Sequence, residues 1–163
     1  TRNRSSAASD VYKRQSVYVM RKKMTEKYVQ IDGGKHQQQL LVQDIVNWFS
    51  SKYFKRFKSY TIEIDLLDID GKVNGWCYEQ EPKYCCVEID KRQKGDDFIT
   101  CVLHELVHVK QYFKKELKDI NGVEMRWKGE THIGIDYYNL PWEKEAYELQ
   151  ESLLIEYKKQ RGI

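Results

Sequence analysis

The segment from Asp96 to Leu117 constrains the fold more than any other part of the chain. Phe98, Val102, Leu106, Val109, Phe113 and Leu117 recur at helical spacing and form one apolar stripe. A helix with such a stripe must bury it, so the segment predicts the central helix of a packed domain. Asp96 or Asp97 is placed to cap its start. Roughly opposite the stripe the same helix carries His104-Glu105-Leu106-Val107-His108. Four residues advance a helix by about 400°, so the two imidazoles stand about 40° apart and one turn up, on one face. Two nitrogens so placed can bind a single zinc ion, with Glu105 between them, beside the open metal position, able to accept a proton from water. At average residue frequencies this pattern arises by chance in on the order of one per cent of chains this long, or fewer.

Periodicity elsewhere predicts an α+β arrangement with a small mixed sheet. Asp32-Gly33-Gly34 signals a loop, and Leu40, Leu41, Ile45, Trp48 and Phe49 then predict an amphipathic helix over about 36–54. Tyr60, Ile62 and Ile64 alternate with Thr61, Glu63 and Asp65 as in a strand, and Asp70-Gly71 marks a turn. Trp76 to Tyr78 and Tyr84 to Ile89 are further strands joined through Glu81-Pro82-Lys83. Asn121-Gly122 ends the central helical pattern. Val123 to Trp127 and Thr131 to Ile135 read as a short hairpin around Lys128-Gly129-Glu130. A last helix opens at Pro141, which suits a first-turn position, and runs to about Lys159.

Residues Ser5 to Gln15 resemble the translation of a sequencing-library adapter, so residues 1–15 are set aside as an artefactual or disordered tail and 16–163 are treated as one domain. Met20 or Met24 could be the natural initiator. Removing Arg2, Arg4, Lys13, Arg14 and Asp10 from totals of 28 basic and 25 acidic residues leaves 24 of each, so the formal charge of +3 falls to zero. The basic balance is then no argument for a nucleic-acid partner. Lys52, Lys55, Arg56 and Lys58 with Tyr53, Phe54, Phe57 and Tyr60 form the one basic-aromatic cluster, expected to be a helix end packed on core aromatics. No apolar run is long enough for a membrane span. Cys77, Cys85, Cys86 and Cys101 lack Cys-x-x-Cys spacing and read as reduced thiols of a cytoplasmic protein. Nothing in the sequence specifies an oligomeric state.

The His-Glu-x-x-His motif and its uncharged neighbours resemble the zincin metallopeptidases; Lys110 departs from their pattern, where an apolar residue is usual. The continuation Val109-Lys110-Gln111-Tyr112-Phe113 lacks the glycine and third histidine of the metzincin branch. In the glutamate zincins the third ligand is a Glu on a later helix, often followed three residues on by Ala. Glu143 with Ala146 has that relation, and Glu145 is the alternative. On a helical wheel both flank the Trp142, Ala146, Leu149, Leu153 and Tyr157 stripe, about 80° away. The Glu143 side also carries Tyr147 and Leu154, so burial favours it over the Ser152, Glu156 and Lys159 side. SprT-like zincins use a third histidine downstream, and His132 is the remaining candidate, although it sits in the expected hairpin rather than in that family's pattern. His104-Glu105-Leu106-Val107-His108 with Gln111, Trp127-Lys128-Gly129 and Leu140-Pro141-Trp142-Glu143-x-Glu145-Ala146 together look like small zincin-like metallopeptidases of phage and bacterial genomes, over roughly residues 58–160.

The resemblance implies a zincin-like fold and a zinc peptidase acting on a peptide or protein substrate, with His104, His108 and Glu143 on the metal and Glu105 as general base. Tyr137, Tyr138, Tyr147 and His132 are the donors available to a developing oxyanion. It also implies an edge strand that substrate joins, expected at Tyr84 to Asp90. Each histidine should have a partner for its second nitrogen. The alternatives are a non-catalytic zinc-binding regulatory or interaction module and a SprT-like DNA-associated protease; the intact Glu105 argues against the first.

Overall fold

The computed structural model describes residues 26–163; the adapter-like segment, Met20 and Met24 lie outside the described residues. In chain order the elements are β1 (Lys27–Gly33), α1 (His36–Tyr53), β2 (Tyr60–Leu67), β3 (Gly75–Glu81), β4 (Tyr84–Asp90), α2 (Gly95–Phe113), β5 (Leu117–Asp119), β6 (Met125–Trp127), β7 (Glu130–His132) and α3 (Pro141–Arg161), with a 3₁₀ turn at Tyr137–Asn139. The fold is α+β with a mixed sheet.

The main sheet has the order β1-β2-β4-β3. Helix α1 crosses over between β1 and β2, so these two strands run parallel, and β2 is also parallel to β4. Strands β3 and β4 are antiparallel. Their tight connection places Lys83 at φ 63, a left-handed conformation at the turn. The alternation read in β2 sends Ile62, Ile64 and Leu66 to the helix-covered face. Their register partners Cys85, Val87 and Ile89 on β4 do the same, and all six are buried. Helix α2 packs on β3 and β4, with α1 and α3 alongside. From Phe98 to Phe113 every residue of α2 except Thr100 is buried, so its polar face is enclosed as well as its apolar one.

Several expectations need correction. The sequence pattern predicts no element before Asp32, yet β1 is a strand; its sequence KYVQIDG offers only Val29 and Ile31 as an apolar alternation, and it lies at the sheet edge with no residue fully buried. Lys94, not Asp96 or Asp97, is the N-cap of α2, and the two aspartates sit in the first turn, where the helix dipole favours them. The helix stops at Phe113 because Lys115 turns into the left-handed region at φ 60, and Leu117 reaches the core from β5. The hairpin is shorter than expected, with Lys128 and Gly129 both at positive φ in its two-residue turn, and β5 pairs as a third strand. Tyr84–Asp90, expected as the edge strand, is paired on both sides; the edge beside α2 is β3.

The aromatic members of the basic cluster face inward. Phe54 and Tyr60 are buried and pack edge-on or tilted against Phe113, with Phe57 beside them. Lys52 pairs with Glu156. No helix among the described residues is long and apolar enough to cross a membrane.

Candidate metal centre

His104 and His108 project from adjacent turns of α2 toward the first turn of α3. Pro141 starts α3, and the next two residues set its packing: Trp142 is buried in the core and Glu143 is buried facing α2. His104 Nε2 lies 3.2 Å from His108 Nε2 and 3.2 Å from Glu143 Oε2, and His108 Nε2 lies 3.3 Å from Glu143 Oε1. Bonds of about 2.0–2.1 Å to one tetrahedral ion place its ligand atoms about 3.3–3.4 Å apart. The spacing of the three groups fits that requirement, and all three side chains are buried. Together they could hold a metal ion.

The tautomers point the same way. Gln111 is fully buried, and its Nε2 donates to the Trp142 carbonyl at 3.0 Å and to Glu145 Oε2 at 2.9 Å. Both partners only accept, so Gln111 Oε1 must face His108 Nδ1, 2.8 Å away, and accept its proton. On His104 the Nδ1 partner is Gln150 Oε1 at 2.9 Å. In the neutral rings both Nε2 lone pairs then converge with a carboxylate, an arrangement that a cation relieves. Without metal a proton relieves part of it. Burial lowers the His108 pKa, but the hydrogen bond to Glu143 and the nearby Glu105 charge outweigh it and raise it. Burial likewise opposes ionisation of Glu143, yet hydrogen bonds from His104 and His108 hold its carboxyl at about 2.

Glu105 sits between the histidines at the floor of an open cleft of about 640 Å³, bounded by Lys72–Gly75 on one side and by Tyr137, Tyr138, Tyr147 and Gln150 on the other. Burial pushes its carboxyl up to about 7; the His108 and His104 charges work against that rise and Glu143 adds to it. A general base acting at neutral pH needs a pKa of this kind. Gly75, the first residue of β3, passes so close that a Cβ there would stand 2.6 Å from Glu105 Oε1.

The remaining expected site residues divide by position. Glu145 is not with the histidines. Its oxygens meet Gln111, Lys110 at 3.4 Å and Lys128 at 3.2 Å, because two residues along α3 turn it about 200° from Glu143. His132 packs edge-on against Trp142, ring centroids 5.8 Å apart, outside the three-residue cluster. Tyr147 lies over the His104 ring at 4.7 Å. Tyr138 is exposed at the cleft mouth. Tyr137 donates its hydroxyl to Glu143 Oε2 at 2.9 Å; burial, and then the Glu143 charge, raise its pKa.

Sequence reasoning did not assign Gln111 and Gln150 as histidine partners or recognise Gly75. Gln111 stands one turn after His108, and Gln150 two turns after Glu143 on the same helix face. That spacing is a usable signal only once the two helices are known to meet. The chain matches no protein-family model, no curated protein and no solved structure.

Proposed function

We propose that this protein is a zinc-dependent peptidase with a zincin-like fold, in which His104, His108 and Glu143 hold the metal and Glu105 is the general base. The observation that carries the reading is the convergence of two imidazole nitrogens and one carboxylate at 3.2–3.3 Å beside an open cleft. Nitrogen and oxygen donors in a three-residue set suit catalytic zinc, which keeps a further position open. When bound, zinc would supply Lewis-acid polarisation of the scissile carbonyl and lower the pKa of water at the site.

The chain's own groups do the rest. Glu105 takes a proton from water as its oxygen attacks the carbonyl carbon, and delivers that proton to the amine nitrogen as the C–N bond breaks. Gln150 and Gln111 hold the imidazoles in the tautomer that directs both Nε2 atoms inward. Tyr147 and Tyr138 border the cleft, as Tyr137 does, and are hydroxyl donors available to a developing oxyanion there. Among the described residues β3, which begins at Gly75 beside Glu105, is an edge strand, and it offers backbone groups to an extended peptide joining the sheet.

Zinc content and hydrolysis of a fluorescently quenched casein test the reading, with Glu105→Gln and His108→Ala alongside. The expected result is one zinc per chain in the wild type, retained without activity in Glu105→Gln and lost in His108→Ala. A wild type that takes up no zinc from supplemented buffer would overturn it. Zinc without hydrolysis across a broad peptide library would replace it with a zinc-binding interaction module.

A further inference from the structure

Lys110 and Glu145 have no part in the chemistry above, yet both lie close to it. Lys110 follows His108 by two residues and is buried, an unusual place for an ammonium group beside a cation site. It is compensated by Glu145 at 3.4 Å and Glu116 at 3.6 Å. The other Glu145 oxygen meets Lys128, in the β6–β7 turn, at 3.2 Å. Between this charged group and the histidines stands Gln111, with Oε1 on His108 and Nε2 shared by Glu145 and the Trp142 carbonyl.

Resting on the metal-centre reading, we propose that Glu145 is a positioning residue for His108, acting through the Gln111 amide and itself held by Lys110 and Lys128. A primary amide has one acceptor end and one donor end. Which end faces His108 depends on what holds the other. Glu145 and the Trp142 carbonyl accept from Nε2, so Oε1 is committed to His108 and the ring presents Nε2 to the metal. The carboxylate also polarises the amide, which strengthens the bond from His108 Nδ1–H and makes the ring a better donor to a cation. The network joins α2, α3 and the β6–β7 turn, so metal affinity depends on the hairpin staying docked. It also accounts for a lysine where the zincin pattern has an apolar residue.

The test is zinc affinity of the full chain, by competition with a chromophoric chelator, with melting temperatures of the metal-stripped proteins measured in parallel. Glu145→Ala should weaken zinc binding about tenfold, at the low end of the 10–100-fold range for outer partners of metal ligands. Gln111→Met, which keeps the volume but none of the three side-chain hydrogen bonds, should weaken it by more. The deciding variant is the double: on the Gln111→Met background, Glu145→Ala should cost little further affinity, because the link it acts through is gone. A merely structural Glu145 would lower the melting temperature on both backgrounds and change zinc affinity equally on both, or not at all; either result overturns the proposal. Glu145→Gln provides a milder variant should the alanine protein not fold. A wild type that binds no zinc overturns the metal centre and this proposal together, whereas normal wild-type binding with unchanged affinity in Glu145→Ala overturns this proposal alone.

Discussion

Gly75→Ala tests how closely the sheet edge positions Glu105, the proposed general base. The added methyl would stand 2.6 Å from Glu105 Oε1, 2.8 Å from Glu105 Cγ and 3.0 Å from Cys101 Sγ. Ordinary van der Waals contact begins near 3.4 Å, so the carboxylate must retreat by about 0.8 Å and its stem by about 0.6 Å. The Cys101 thiol is held to the Asn74 carbonyl at 3.2 Å, whereas the Glu105 side chain borders the open cleft, which leaves Glu105 itself to move. Misplacing a catalytic group by about 1 Å can cost roughly 100-fold in rate. Crowding a packed site costs about 1–3 kcal/mol of stability. The expected outcome is therefore hydrolysis of quenched casein reduced by about two orders of magnitude, a melting temperature lowered by several degrees, and an unchanged zinc content, since no ligand is touched. Wild-type activity and stability in Gly75→Ala would refute both the contact and the role of Glu105 inferred from it.

Two further outcomes follow from burial and backbone conformation. The Glu105 carboxyl is raised to about 7 in the metal-free protein against 4.5 for the unperturbed group, chiefly by burial. A raised folded-state pKa gives stability that is complete below about 4.5 and lost as pH rises through about 7, so Glu105→Gln should gain up to roughly 3 kcal/mol over the metal-free wild type at pH 8 and little at pH 4.5. Urea unfolding at the two pH values checks this, and an equal difference at both would contradict it. Lys115, at φ 60 just past the end of α2, carries a left-handed strain of about 1–2 kcal/mol, so Lys115→Gly should not destabilise and should add up to about 1 kcal/mol in the same urea assay. A loss of stability there would show that the Lys115 side chain matters more than its backbone.

What was legible in the chain was local. A His-Glu-x-x-His spacing places two imidazoles on one face of any helix that contains it, Pro141 opens a helix, and the Tyr60–Asp65 alternation makes a strand, because the relevant interactions span a few residues. The elements read least well were those whose own sequence carries little pattern. β1 is held by pairing with β2, and β5 arises because Lys115 reverses the chain.

The same division runs through the site. The sequence by itself determined that His104, Glu105 and His108 share one helical environment, and it left Glu143, Glu145 and His132 as candidates to join them. Only the tertiary structure decided which of them joins the histidines. Glu143 and Glu145 differ by about 200° around the helix, and the docking of Trp142 and Ala146 in the core sets which one faces α2. The sheet order, which makes β3 the edge beside Glu105 in place of β4, is likewise a matter of which strands find each other across long separations. Gln111, Gln150, Tyr137 and Gly75 acquire their parts only when α2, α3, the 3₁₀ turn and β3 are brought together. Helical and strand periods record which face of an element is buried. They carry no record of what it is buried against, because that depends on packing between residues tens of positions apart.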